Sequence, residues 1–287
     1  MTIYQAITPE IAWSGKTASI NAEGVYYRQL NEQIRRAVRD GAERIVVANI
    51  CGQRYIGDGI RRKVAIELTG TPGNDLAMFM DGPTIRVHGN GQDGVGNTMT
   101  SGEIVIDGSA GDLLAHSLRG GRIFIRGSAG YRVAIHMKQY TEPVPAVVVG
   151  GTVGDYAGEY MAGGVLIVLG LQPPEERKEL GVGSRELGVR NVNAPLPAPH
   201  SLRPLTGQFL GTGMHAGVIY LRGDVRDDQL GKEISRVPME DADRARLAAL
   251  VEQFAGHFGL NAAEILAADF TMLRATSTRP YGRLYVY

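Results

Sequence analysis

The chain is 287 residues long, enough for one sizeable domain or two small ones, and its 30 basic and 30 acidic side chains cancel. That balance supplies no broad field for nucleic acid or an anionic membrane, which leaves protein as the default partner. The one cysteine, Cys51, excludes an intramolecular disulfide framework, an iron–sulfur cluster and a cysteine-rich zinc site.

No charged-then-apolar leader occupies residues 1–30 and no apolar run reaches eighteen residues, so a cytoplasmic protein is expected. Residues 1–43 read as an N-terminal cap. Within them Tyr27 to Arg39 places Leu30, Ile34 and Val38 four apart, on one face of a helix. Such a helix can cover the first coil of a repeat domain whose open end would otherwise expose unpaired backbone.

From residue 44 to 223 one glycine recurs every nineteen residues: Gly70, Gly89, Gly108 and Gly127, then Gly151 after five extra residues, then Gly170. The residues four and two before each glycine form two aliphatic columns. They are Ile66 and Leu68, Ile85 and Val87, Ile104 and Ile106, Ile123 and Ile125, Val147 and Val149, Leu166 and Val168. Between them the sequence reads as polar or variable (Glu67, Arg86, His88, Asp107, Arg126, Gly150), the alternation of a strand buried on one face.

Seven residues after each glycine lies a small side chain (Ala77, Gly96, Ala115, Ala134, Gly158), and ten after it a flexible apolar one (Met80, Met99, Leu118, Met137, Met161). Aligned columns mean stacked coils, and the pattern predicts a mainly β protein, a right-handed parallel β-helix with helices flanking both ends. The first coil is expected from Arg44, with Ile45 and Val47. A late coil runs from Gly207 to Gly223 with Met214, Ile219 and Leu221. That gives about eight coils, a rod on the order of 35 Å at the spacing of paired strands.

Inside this domain residues 172–206 hold Pro173, Pro174, Pro195, Pro197, Pro199 and Pro204, an insertion that is either a surface loop or an arm laid on a neighbouring subunit. Residues 224–287 read as a helical tail that caps or docks. Asp241 starts a helix with Leu247, Leu250, Val251, Phe254 and Phe258 on one face, and Asn261 with Glu264 starts a shorter one. The stretch Ser277 to Tyr287 reads as a strand or extended tail.

Chemistry is harder to find. Gly89, Gly91 and Gly94 match GxGxxG, with Glu103 in the direction of a ribose contact, but the segment after them repeats the coil columns where a dinucleotide site needs a helix. Gly211, Gly213 and Gly217 have the wrong spacing for that motif. Four residues after the register glycine stand Asn74, Asp93, Asp112, Tyr131 and Asp155, so Asp93 and Asp112 sit on adjacent coils. They could share a cation or do acid–base work; the favoured reading is that each accepts backbone N–H groups at a corner.

The six histidines, His88, His116, His136, His200, His215 and His257, show neither HxxxH nor HxH spacing, and no GxSxG elbow is present. No catalytic, cofactor-binding or metal-binding residue is nominated in this chain.

The blocks YYRQLNEQIRR (from Tyr26), ANICGQRYIG (to Gly57), GYRVAIHMK, VVVGGTVGDYAGEYMAGG, VLIVLGL and GTGMHAGVIYLRG resemble the GXGXG family over about residues 25 to 225. That is the β-helical domain at the C-terminus of the glutamate synthase large subunit, and the chain looks most like its stand-alone version. A second branch, similar in its stacked GDxGxxxGxxMxGG coils, is the β-helical subunit of formylmethanofuran dehydrogenase and of the related formyltransferase/hydrolase complex.

The resemblance implies a non-catalytic structural subunit. Its partners would be an FMN and iron–sulfur glutamate synthase subunit and a glutamine amidotransferase subunit, which move glutamine-derived ammonia to 2-oxoglutarate. It also leaves room for a homo-oligomer, and for a formylmethanofuran dehydrogenase-like complex as the alternative. The residues agree in kind. Such an amidotransferase needs an N-terminal cysteine, whereas this sequence opens Met1-Thr2 with its thiol at Cys51. A flavin barrel of alternating strands and helices is not in the pattern.

Overall fold

A computed structural model of the protein describes residues 7–140, 142, 144–171 and 204–277. Most of the proline-rich insertion and the end of the C-terminal stretch, residues 278–287, lie outside them. The chain forms β1 (Ile11–Ser14), β2 (Thr17–Asn21), α1 (Tyr27–Arg39), β3 (Arg44–Cys51), β4 (Ala65–Thr71), β5 (Asp81–His88), β6 (Ser101–Ile106), β7 (Arg122–Ile125) and β8 (Ala146–Val149). It continues with β9 (Ala162–Val168), β10 (Ala216–Arg222), β11 (Ile234–Arg236), α2 (Asp241–Phe258), α3 (Ala262–Leu266) and β12 (Phe270–Ala275).

Successive strands from β2 to β10 pair in parallel, making one side of a β-helix. The register reproduces the two aliphatic columns. Ile66 lies beside Ile85, Ile104 beside Ile123 and Val147 beside Leu166, while Leu68, Val87, Ile106 and Ile125 continue through Val149 and Val168 to Leu221. All of these side chains are buried in one continuous core.

The β-helix makes about six turns, slightly different from the eight coils of the glycine reading, and its ladder reaches one strand before Arg44. Ala18 lies beside Ile45 and Ile20 beside Val47, with no register glycine to announce them. Beyond β2, β1 pairs antiparallel and is the last strand of the sheet among the described residues. Helix α1 occupies the expected residues and sinks Leu30, Ile34, Ala37 and Val38 into the same core.

From Gly70 to Gly151 the register glycines are explained by the coil before them, whereas Gly170 is left-handed and faces Leu205. A Cβ on Gly70 would overlap the carbonyl of Ile50, one on Gly89 the carbonyl of Gly70, and one on Gly127 would lie 3.0 Å from the Gly108 carbonyl. Close backbone approach between coils, more than a special φ, therefore sets the nineteen-residue period.

The outward face of the strands changes character along the stack. It carries Glu67 and Arg86 on β4 and β5, then Val105, Phe124, Val148, Ile167 and Tyr220 on β6 to β10, all buried. Helix α2 covers this second apolar column with Leu247, Leu250, Val251 and Phe254. Burying a side chain of this size contributes about 1.5–3 kcal/mol.

Charged side chains fix the helix at both ends. Arg86 Nη2 donates to the carbonyl of His257 (3.1 Å) and Arg126 Nη1 to that of Phe258 (3.2 Å), where cations favour a helix C-terminus. At the other end Asp243, buried, takes Arg274 (2.6 Å) and Arg246 (3.4 Å) beside the Tyr220 hydroxyl.

The expected helix starts are close to those observed. The cap of α2 is Glu240, one residue before Asp241, with its N–H donating to Asp243 Oδ2. At α3, Asn261 Oδ1 accepts the N–H of Ala263, and Asn261 Nδ2 donates to Glu264. Residues 224–277 are not helical throughout. β12 pairs antiparallel with β10 and β11 with β12, because the alternation Thr271, Met272, Leu273 sends Leu273 into the coil core and Met272 under α2.

Candidate protein-docking face

Opposite the strands, each coil turns through a run in which every second residue is left-handed. Starting from Gly70 these residues are Asp75, Ala77 and Phe79; later coils repeat the run as Leu113, Ala115 and Ser117, then Arg132, Ala134 and His136, then Tyr156, Gly158 and Tyr160. Left-handed backbone costs a non-glycine residue roughly 1–2 kcal/mol, and it persists here because neighbouring coils hold it. The N–H of Asp75 donates forward to the Asp93 carbonyl (2.8 Å), that of Ala77 back to Ile56 (2.8 Å), and that of Phe79 forward to Asn97 (2.9 Å).

The middle residue of each run points inward, which explains the small-residue column. A Cβ on Gly158 would sit 2.8 Å from Ile219 Cδ1, and one on Gly57 2.7 Å from Ile85 Cδ1. Several of the flanking residues face out, though Thr98 is buried. Phe79 (49 % exposed), Leu113 (39 %) and Phe209 (49 %) in these runs, with Tyr131 (54 %) next to Arg132, present apolar surface along this ribbed face.

Aromatic groups are ordered on it. The rings of Tyr156 and Phe209 stack at 4.8 Å with 16° between planes, and the Arg132 guanidinium lies 5.3 Å over Tyr156 while pairing with Glu159 at 3.0 Å. His136 and Tyr160 stack at 5.3 Å, and His116 meets His136 edge-on at 6.1 Å. His116 Nδ1 faces Asn97 Oδ1 at 3.2 Å, and Asn97 Nδ2 donates to Asp75. Burial, then the neighbouring His136, pushes the His116 pKa down, so its neutral form is favoured.

Asp93 and Asp112 do not share a site. Asp93 Oδ1 accepts the N–H of Asp112 (2.9 Å), Asp112 Oδ1 that of Tyr131 (2.8 Å), and Asp155 Oδ1 that of Gln208 (2.8 Å). They bond to backbone, as favoured, though to the next coil and not to their own corner. A parallel ladder runs through Asn90, Ser109 and Ser128, each accepting the N–H of the corresponding residue one coil later. Nothing in the residue types distinguishes a within-turn from a between-coil bond.

Gly89, Gly91 and Gly94 are a coil corner. The segment after them enters a left-handed run, and a Cβ on Gly91 would lie 2.9 Å from Ile106 Cδ1 inside the core. Among the described residues no three His, Cys, Asp or Glu side chains lie together as a metal site, Cys51 is exposed and free, and no helix is long and apolar enough to cross a membrane. The face is therefore an aromatic, arginine-bearing surface on a stiff rod, the composition that protein–protein hot spots favour.

A parallel β-helix with glycines at its coil contacts is a class defined by the repeat itself, and comparison places the chain within it. The chain belongs to the GXGXG motif family, whose model matches residues 27–278 and covers the C-terminal domain of glutamate synthase. It is also 43% identical over 272 residues to the uncharacterized protein MJ1350 of Methanocaldococcus jannaschii, across 93% of this chain and 95% of that one.

Proposed function

We propose that the protein is a non-catalytic scaffold subunit of a cytoplasmic, glutamate synthase-type complex. In this reading partner subunits hydrolyse glutamine and carry the ammonia to 2-oxoglutarate with FMN and an iron–sulfur cluster. The single thiol at Cys51 suits that division, since a cluster needs several cysteines and must sit elsewhere. One observation carries the reading: the family's β-helix presents an ordered, partly exposed aromatic face and spends its acidic ladder on holding coils together.

A stiff rod contributes geometry. It fixes the separation of whatever docks on its ribs, so that an ammonia-producing and an ammonia-consuming partner keep one relative position.

The test is affinity purification of the tagged protein from its native cells, with co-purifying chains identified by mass spectrometry. Recovery of an FMN/iron–sulfur protein with an amidotransferase is expected. An amidohydrolase or a molybdenum or tungsten protein in their place would transfer the chain to a formyl-handling complex. The double variant Phe79→Asn and Phe209→Asn keeps the left-handed backbone that Asn tolerates and should fold while recovering less partner; undiminished recovery would place the docking surface elsewhere.

A further inference from the structure

Strand β1 is the last of the sheet among the described residues, and its side chains continue the core. Ile11 lies opposite Ile20 and Trp13 opposite Ala18, the residues that begin the two inward columns. Directly opposed residues of an antiparallel pair share a face, so Ile11 and Trp13 extend both columns past the last parallel coil. Trp13 is nevertheless 44% exposed, and Ile11 is only partly buried. The far edge of β1 is unpaired among the described residues. Its sequence, Ile-Ala-Trp-Ser, has none of the charges, prolines or bulges that guard an edge strand.

We infer that this edge is where two copies of the chain join, pairing antiparallel through β1 about a twofold axis at Ala12. Two identical strands pair antiparallel with a fixed sum of residue numbers, and only some registers keep the inward side chains of both on one face. The register centred on Ala12 does so and sets each Ile11 against the other copy's Trp13. Both apolar columns then run from one rod into the next. A foreign strand would have to supply apolar residues at the same two-residue spacing; a second copy supplies them by symmetry.

Charge does not oppose the same occupant. Beside β1 a depression of about 380 Å³ is lined by Glu10, Trp13, Gln33, Arg36 and Asp40 among others. A rim carrying both signs is compatible with its own image, where a rim of one sign would repel it. The chain's zero net charge adds no long-range repulsion between copies.

The test uses the full chain with Cys51→Ser as background. Directly opposed residues of an antiparallel pair have Cα atoms about 4.5–5.5 Å apart, within disulfide reach, so Ala12→Cys should form a covalent dimer under mild oxidation. Ser14→Cys should not, since its two copies would lie about 14 Å apart at the rise of a strand. Light scattering should show the parent as a dimer and Trp13→Glu as a monomer, with unchanged circular dichroism showing that the variant folds. A monomeric parent, a dimeric Trp13→Glu, or equally rapid cross-linking through position 14 would each overturn the inference. It stands independently of the identity of any partner complex.

Discussion

The Oδ1 atom of Asp112 accepts the backbone N–H of Tyr131 at 2.8 Å, one coil later, and a Cβ on Gly130 would overlap that same oxygen. The aspartate and the glycine are two halves of one contact. The carboxylate reaches a backbone donor in the next coil because the residue before that donor has no side chain.

Removing the acceptor should cost less than filling the gap. Asp112→Ala loses one exposed, solvent-screened bond, about 1 kcal/mol, and Asp112→Asn, which keeps the oxygen, should stay near the parent. Gly130→Ala should be worse than either. Urea midpoints with an unchanged m-value measure the order; equal losses for Asp112→Asn and Gly130→Ala would contradict it.

Two glycine substitutions should move in opposite directions. Gly108→Ala places a methyl 2.7 Å from the Gly89 carbonyl and against Asn90, and should lower the melting temperature by several degrees. Gly256→Ala sits on the exposed side of α2 with nothing within 4 Å, and should raise stability by about 0.5–1 kcal/mol.

The two columns should fail differently. Ile106→Asp buries an unpaired charge in the coil core and should cost several kcal/mol. Phe124→Ala opens a cavity under α2 at about 3–5 kcal/mol, and should specifically raise hydrogen exchange within Asp241–Phe258. If Phe124→Ala loosens the coils and leaves α2 protected, the helix is held by something other than that column.

His116 gives a pH dependence of definite sign. Its folded pKa lies below the ordinary value because burial, then His136, disfavour the charged form. The neutral ring therefore contributes stability above about pH 6.5, the unfolded value, and this is lost as pH falls toward the folded pKa. His116→Gln should flatten the fall of the urea midpoint between neutral and mildly acidic pH; an unchanged slope would remove His116 as its source.

The aliphatic ladder was legible because stacking puts like on like: Ile66, Ile85, Ile104 and Ile123 recur at one spacing and pair in one register. Ala18 and Ile20 obey the same register but lack the glycine that made it visible. The outward column was present in the same alignment, yet Glu67 and Arg86 head it and make it look polar. Its meaning appears only when the apolar face of α2 is laid against Val105, Phe124 and Val148. The left-handed runs were not legible, since Leu113, Arg132 and Tyr156 have no preference for that backbone and adopt it through bonds to other coils. The docking face stands on those runs, which is why residue types alone outlined the fold better than the site.

The docking of α2 also limits how long the rod can be. Asp243 meets Tyr220 on β10, and His257 meets Glu103 on β6 at 3.3 Å, so the helix runs along the stack. Those fourteen helical steps rise about 21 Å, and the four strand spacings from β10 to β6 amount to about 19 Å. The helix is a gauge cut to the number of coils it covers. An extra coil inserted between β6 and β10 would need about three more helical residues to be covered, so a part of the chain that does not repeat restricts how often the rest can.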